Sequence, residues 1–283
     1  MAESYRLTEP QYAMLADSFN VRGHGLWNMQ LTFTIREPLD VPRFKSAWRQ
    51  VVERHPALRT RIALGDQSPP VQLVEDHVHL PFEELDWTDR PRHRIDADVG
   101  AIRKEAVLED LDLSTAPVMR VILVRAAPDL FFCIWVGHHA LVDGRSMFNL
   151  ARDLSTIYHS GDARSLPPAR PFREYVDWLE GHAPEGAARF WREQLEGVTH
   201  ATSLGWSREP MEPGHLGGDA RRLSRGETAA LEAFCARHAV TMNAVLQSAW
   251  ALLLQRYSGE DDVVFGSTRA CRRSALGGAA GVD

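Results

Sequence analysis

The chain has 283 residues, 44% of them hydrophobic, with 32 basic against 38 acidic residues and a net charge of -6. That length accommodates one large domain or two modest ones around a substantial core. The acidic balance excludes the basic footprint that non-specific nucleic-acid binding requires. Three cysteines, Cys133, Cys235 and Cys271, stand far apart without CxxC spacing, which argues against a disulfide framework or structural zinc and fits a reducing, cytoplasmic setting. The stretch from Met1 to Arg6 lacks the charged and apolar regions of a secretion signal. No apolar run approaches the about 20 residues that a membrane helix needs, so no membrane partner is expected.

Taken in chain order, the pattern predicts a short helix over Gln11 to Phe19, a turn at Arg22-Gly23-His24-Gly25, and a strand over Leu31 to Ile35. Asp40 can cap a helix that starts near Val41-Pro42, and Val41, Phe44, Trp48 and Val51 recur at helical steps to give it one apolar face. Ala57 to Ile62 and Val71 to Val74 are expected as strands. The polar residues 86–96 read as a loop, followed by a helix from Asp98 to Leu111 that turns Val99, Ile102 and Ala106 inward. Val118 to Val124 and Leu130 to Val136 form a hairpin across Ala126-Ala127-Pro128-Asp129. Met147, Leu150, Leu154 and Ile157 then define a helix that ends near Ser160-Gly161.

Residues 161–170 read as a linker. Two helical pieces follow, Phe172 to Glu180 and Glu185 to Leu195, before a Gly- and Pro-rich connection over 197–219. Ser224 and Glu227 have the spacing of a capping box that opens another helix. Thr241 caps a further helix whose apolar residues, among them Leu246, Trp250, Leu252 and Leu253, run almost all round, so a buried helix is expected. Asp262 to Gly266 reads as a core strand, and the last residues, Gly277 to Asp283, contain no closing element. The whole is a mixed α/β chain with a first block over 1–170 and the start of a second over 171–283. The second block is short of strands, and its helices need a sheet to lie on.

The chemistry concentrates in Gly137-His138-His139-Ala140-Leu141-Val142-Asp143-Gly144, at the end of the apolar strand. Desolvating paired histidines is costly, so their place at the mouth of a core strand needs a reason. They could be structural, satisfied by backbone groups, with Asp143-Gly144 making a turn. They could ligate a metal, but neighbouring residues on an extended segment point to opposite sides, and neither HExxH nor a matching cysteine set is present. The working reading is general base catalysis, because imidazole titrates near neutral pH. GxSxG, thiol-enzyme signatures, P-loop and GxGxxG are absent. Chemistry through His139 would therefore be direct transfer between two bound substrates.

His138 to Gly144 matches HHxxxDG, the signature of condensation domains of nonribosomal peptide synthetases and their acyltransferase relatives. Arg54-His55-Pro56-Ala57-Leu58-Arg59-Thr60-Arg61 resembles the RHxxLRTxF stretch of the same family. Phe172 to Trp178, Phe190 to Leu195 and Val263 to Gly266 are weaker echoes in family order. The resemblance implies an α+β, two-layer fold of two chloramphenicol-acetyltransferase-like lobes, the first complete and the second incomplete in this sequence. The substrates would reach a tunnel between the lobes on phosphopantetheine arms of peptidyl or acyl carrier proteins, with other synthetase domains adjacent and no cofactor bound directly. The acceptor's amine would attack the donor thioester to give an amide.

By the same resemblance His139 is the catalytic histidine and His138 is structural. Asp143 points away from substrate and pairs with Arg59, an arginine fork being a fitting partner for a buried carboxylate. Gly144 lets the backbone turn tightly behind the histidine. Ser146 and Asn28 are expected along the substrate tunnel. The chain departs from the family at Arg145, where many members carry Trp, and in its opening motif, of which Gln11 and Trp27-Asn28 remain. The family's later GxFxNT-type stretch is missing. Two other readings stay open, a related acyltransferase that forms esters and a remnant that only docks a carrier protein.

Overall fold

The computed structural model describes residues 3–65, 69–182, 185–205 and 220–268. It divides the chain into two compact units, one reaching to His182 and the other covering 183–270.

The first unit is built on two sheets. Strands β1 (Glu3–Arg6), β3 (Thr60–Ala63) and β4 (Val71–Val74) form a small antiparallel sheet in the order β1-β4-β3. Strands β2 (Asn28–Ile35), β5 (Phe82–Asp86), β6 (Met119–Ala127) and β7 (Leu130–His138) form a larger one in the order β2-β7-β6-β5, in which only β5 and β6 run parallel. The helices of this unit are α1 (Glu9–Asn20), α2 (Val41–Arg54), α3 (Arg92–Leu108), α4 (Gly144–Ser160) and α5 (Arg173–Gly181).

The long apolar runs of β6 and β7 have a simple cause. Both faces of the larger sheet are covered, so neither parity of side chain can be polar. Val121, Leu123, Phe131, Cys133 and Trp135 pack against Trp48 and Val51 of α2 and Leu150, Leu154 and Ile157 of α4. The alternate residues Ile122, Val124, Phe132, Ile134 and Val136 pack against Ile95, Val99 and Ala106 of α3. The hairpin forms as expected, and β7 runs on through Gly137 to His138, because β2 supplies a partner as far as the Asn28–His138 pair.

Other boundaries differ from expectation. Residues 57–59, expected as strand, lie in a 3-10 turn over Pro56–Arg59, and β3 starts only at Thr60. The polar stretch expected as a loop before residue 98 contains the first turns of α3, which buries Ile95. Polarity there marks the exposed side of an amphipathic helix, not a loop. Asp40 caps α2 as expected, its Oδ1 accepting from the Arg43 amide at 3.0 Å. Gly161, in the left-handed conformation, ends α4.

The second unit contains α6 (Ala187–Gln194), α7 (Arg225–His238) and α8 (Met242–Ser258). The expected capping box is present, with Ser224 accepting from the Glu227 amide and Glu227 accepting from the Ser224 amide. Two expectations fail. Helix α8 is not buried: Leu246 and Leu252 are each 58% exposed within the described residues. Residues 263–268 form no strand. Both have one reason, since among the described residues this unit holds no sheet, and a strand needs a partner backbone while an apolar helix needs a face to cover it. The expectation for the last residues lies outside the described part of the chain.

Candidate active site at the end of strand β7

The two histidines leave β7 with different environments. His138 is 2% exposed. Its Nδ1 accepts from the Ala140 amide at 3.1 Å, so its proton sits on Nε2, which lies 3.0 Å from Ser18 Oγ on α1. Ser18 in turn donates to the Met14 carbonyl at 2.8 Å. Burial, then the neighbouring His139, pushes the pKa of His138 down to about 4 from the ordinary histidine value. His138 is therefore a neutral imidazole with both nitrogens engaged.

His139 is half-buried. Its backbone amide donates to the Trp27 carbonyl at 2.8 Å, and its Nδ1 lies 3.0 Å from the Val142 carbonyl. A carbonyl oxygen can only accept, so Nδ1 carries a proton, and in the neutral form of the ring the lone pair lies on Nε2. The Trp27 indole meets the ring edge-on at 6.1 Å between centroids. Trp27 itself adopts φ 67°, a conformation that a bulky residue rarely holds. This strained residue supplies the carbonyl that fixes the His139 amide, and backbone strain of this kind gathers at functional sites.

The loop after the histidines is closed by α4. Asp143 is the N-cap, its Oδ1 accepting from the Ser146 amide at 2.8 Å and from the Ser146 hydroxyl at 2.9 Å. Ser146, expected along the tunnel, is buried and its hydroxyl is taken up in this cap. Gly144 is the first residue of α4, and a Cβ there would meet nothing within 4 Å. Neither space nor backbone conformation at Gly144 demands a glycine, which corrects the tight-turn reading. The close approach is at Gly137, where a Cβ would stand 2.4 Å from the Trp135 indole.

Arg59 lies in the 3-10 turn, and its Nη1 donates to the Glu75 and Asp76 carbonyls while its Nε has no partner among the described residues. Asn28 borders a cleft of about 410 Å³ that also takes in Ser18, Arg22, Asp110 and His138. Its amide donates to the carbonyls of Val107 and Glu109 at 3.1 and 2.9 Å, tying β2 to the end of α3. Asp110 holds the other side, accepting from the amides of Gly23 and Gly25 at 2.7 and 2.9 Å.

Two groups around the site carry no clear signal in the sequence. Gln11, on α1, donates to the Ala140 carbonyl at 2.7 Å, and its match to the opening motif is the one hint. Asp153, on α4, is wholly buried and binds Arg54 Nε at 2.9 Å and His55 Nε2 at 3.0 Å. Its spacing from the histidines suggests nothing. Among the described residues, no group of three or more His, Cys, Asp or Glu is placed to hold a metal ion, and no helix is long and apolar enough to cross a membrane.

An α/β lobe with helices on both faces of its larger sheet and HHxxxDG at the end of an inner strand has the architecture of the HHxxxDG proteins. The chain belongs to the condensation-domain family of nonribosomal peptide synthetases, whose model, Condensation domain, matches residues 1–281. One of the linear gramicidin synthase proteins of Brevibacillus parabrevis is 33% identical over 98% of this chain, and the match covers 4% of that protein. The chain thus spans a small part of such relatives. Among solved structures, a four-domain nonribosomal peptide synthetase bound to AMP and glycine superposes with a TM-score of 0.75 at 19% identity, covering 92% of this chain and 20% of the other. The epimerization domain from the third module of tyrocidine synthetase B gives 0.70 at 21%, covering 92% and 59%. At these identities the two structures establish the fold.

Proposed function

We propose that this chain forms amide bonds between a donor acyl or aminoacyl thioester and the amine of an acceptor, both delivered on phosphopantetheine arms of carrier proteins. The observation that carries the reading is the tautomer of His139: with Nδ1–H held by the Val142 carbonyl, the lone pair on Nε2 is free to accept a proton. The acceptor nitrogen attacks the thioester carbonyl and gives its proton to His139 Nε2. As the tetrahedral intermediate collapses, the C–S bond breaks and the same proton goes to the departing pantetheine sulfur. His138 and Asp143 hold the loop in shape, and Arg59 is proposed to pair with Asp143. Asn28, which borders the cleft, is proposed to stand along the path of the substrates, whereas the buried Ser146 serves the cap of α4.

The relatives support this assignment through family membership, and the intact HHxxxDG supports an active enzyme over a docking remnant. The test is His139→Ala in the complete protein, assayed with loaded donor and acceptor carriers. The expected result is a drop in amide product of roughly a hundredfold or more with the fold retained. Undiminished product from a folded His139→Ala protein would remove the assignment. Turnover of an alcohol acceptor, but not an amine, would assign ester formation instead.

A further inference from the structure

Helix α1 presents Gln11, Leu15 and Ser18 on one side, at positions i, i+4 and i+7. All three reach the loop around His139 or the core beneath it. Ser18 Oγ accepts from the ring of His138, the residue before His139. Gln11 Nε2 donates to the carbonyl of Ala140, the residue after it. Between them, Leu15 packs in a cluster that takes in Leu141.

Gln11 is 5% exposed and every hydrogen-bonding position of its amide is used. Besides Ala140, Nε2 donates to Gln72 Oε1 at 3.0 Å, while Oε1 accepts from the Thr8 amide at 2.9 Å, from the Thr8 hydroxyl at 3.0 Å and from Gln72 Nε2 at 3.2 Å. Gln72, on β4, is anchored to the Arg6 carbonyl at 3.0 Å. Turning the Gln11 amide over would set its oxygen against the Ala140 carbonyl and break the exchange with Gln72. The network therefore admits one orientation only, and it presents a donor to the loop. A fully satisfied buried polar network of this kind is rigid and specifies one arrangement.

We infer that Gln11 and Ser18 are positioning residues for His139, clamping the residues on either side of it, His138 by its ring and Ala140 by its carbonyl, so that its Nε2 is held on the reacting nitrogen. Neither side chain touches His139. Each acts through a neighbour, and the small sheet that carries Gln72 serves as the fixed support. This inference rests on the catalytic reading of His139 above. A displacement of the loop by about 1 Å suffices to lower the rate of a step that depends on orientation. An effect confined to that displacement lowers kcat and leaves KM unchanged.

The experiment compares Gln11→Met, Ser18→Ala, Ser18→Thr and His139→Ala in the complete protein, with kcat and KM measured for carrier-bound donor and acceptor. Val99→Ala, on α3 across the larger sheet, serves as a control for lost core packing. Gln11→Met and Ser18→Ala should lower kcat roughly tenfold or more with KM within about twofold, and Ser18→Thr, which keeps the hydroxyl, should restore kcat. Unchanged kcat in both variants, failure of Ser18→Thr to restore it, or an equal loss in Val99→Ala at matched thermal stability would overturn the inference. If Gln11→Met does not fold, the Ser18 pair decides. A normal rate in His139→Ala would remove the catalytic reading and this inference with it. A dead His139→Ala beside normal Gln11 and Ser18 variants would remove this inference alone.

Discussion

His138 and His139, adjacent in the chain, carry their protons on opposite ring nitrogens. His138 takes the Ala140 amide on Nδ1 and gives its Nε2 proton to Ser18, whereas His139 gives its Nδ1 proton to the Val142 carbonyl. Among the described residues, both nitrogens of the His138 ring are engaged, whereas Nε2 of His139 meets no partner.

The depressed pKa of His138 makes folding sensitive to pH in a defined window. Its folded value, about 4, lies below the unfolded value, so between roughly pH 4 and 6.5 the unfolded chain binds more protons. Stability from this group is complete above about pH 6.5 and is lost as pH falls toward 4, with a ceiling of about 3 kcal/mol. Urea unfolding midpoints at pH 7 and 4.5 should converge more in His138→Gln than in the natural chain. Equal pH sensitivity of the two would contradict the assignment.

Gly137 is required by the indole of Trp135, which is fully buried and occupies the space where a Cβ would stand. Gly137→Ala forces either the indole or the end of β7 to move, at a cost of about 1–3 kcal/mol. Because the next residue is His138, the rate of the proposed amide formation should fall together with thermal stability. An unaltered Gly137→Ala protein would mean that Trp135 can rotate away freely.

Asp143 caps α4 and Ser146 completes the box. Asp143→Ala should cost about 0.5–2 kcal/mol through the lost cap alone, read as a shift in unfolding midpoint. Asp143→Asn, which keeps a capping oxygen, should recover most of it. If Asn is as damaging as Ala, the carboxylate's charge matters more than its capping oxygen, which is what the proposed pairing with Arg59 requires.

Asp153 joins α4 to the end of α2. Burial alone would raise its pKa, but hydrogen bonds from His55, then Arg54 and Arg152, outweigh burial and hold it below the usual carboxylate range. Its contribution is present above the unfolded value, about 4, and is lost as pH falls below it. Asp153→Ala leaves the Arg54 guanidinium without its carboxylate and should destabilise by about 3–5 kcal/mol. A loss under about 1 kcal/mol in chemical denaturation would show that water and the Pro167 carbonyl, which Arg54 also reaches, satisfy it equally well.

Much of the first unit is legible in the sequence because its signals are local. The cap at Asp40, the helical steps of α2 and α4, and the hairpin of β6 and β7 all depend on residues within a few positions of one another. Strands β1 and β5 leave no such signal. Each is a short segment of mixed polarity, and each exists because a distant partner, β4 or β6, offers an edge. Helix α8 is apolar all round, as its sequence states, yet it is not buried, because periodicity reports what a helix needs and not whether it is supplied.

For the site, the sequence by itself determined the candidate residues and the chemistry they suit: two histidines at the end of an apolar strand, an aspartate four residues after the second, and the HHxxxDG pattern that names the family. Only the tertiary structure decided which nitrogens of the two rings are engaged. That outcome depends on Val142, Ala140, Ser18 and Trp27, and the last two come from segments more than 100 residues away in the chain. A ring's tautomer is set by whatever acceptor or donor the fold brings to its other nitrogen, and no spacing along the chain encodes that meeting.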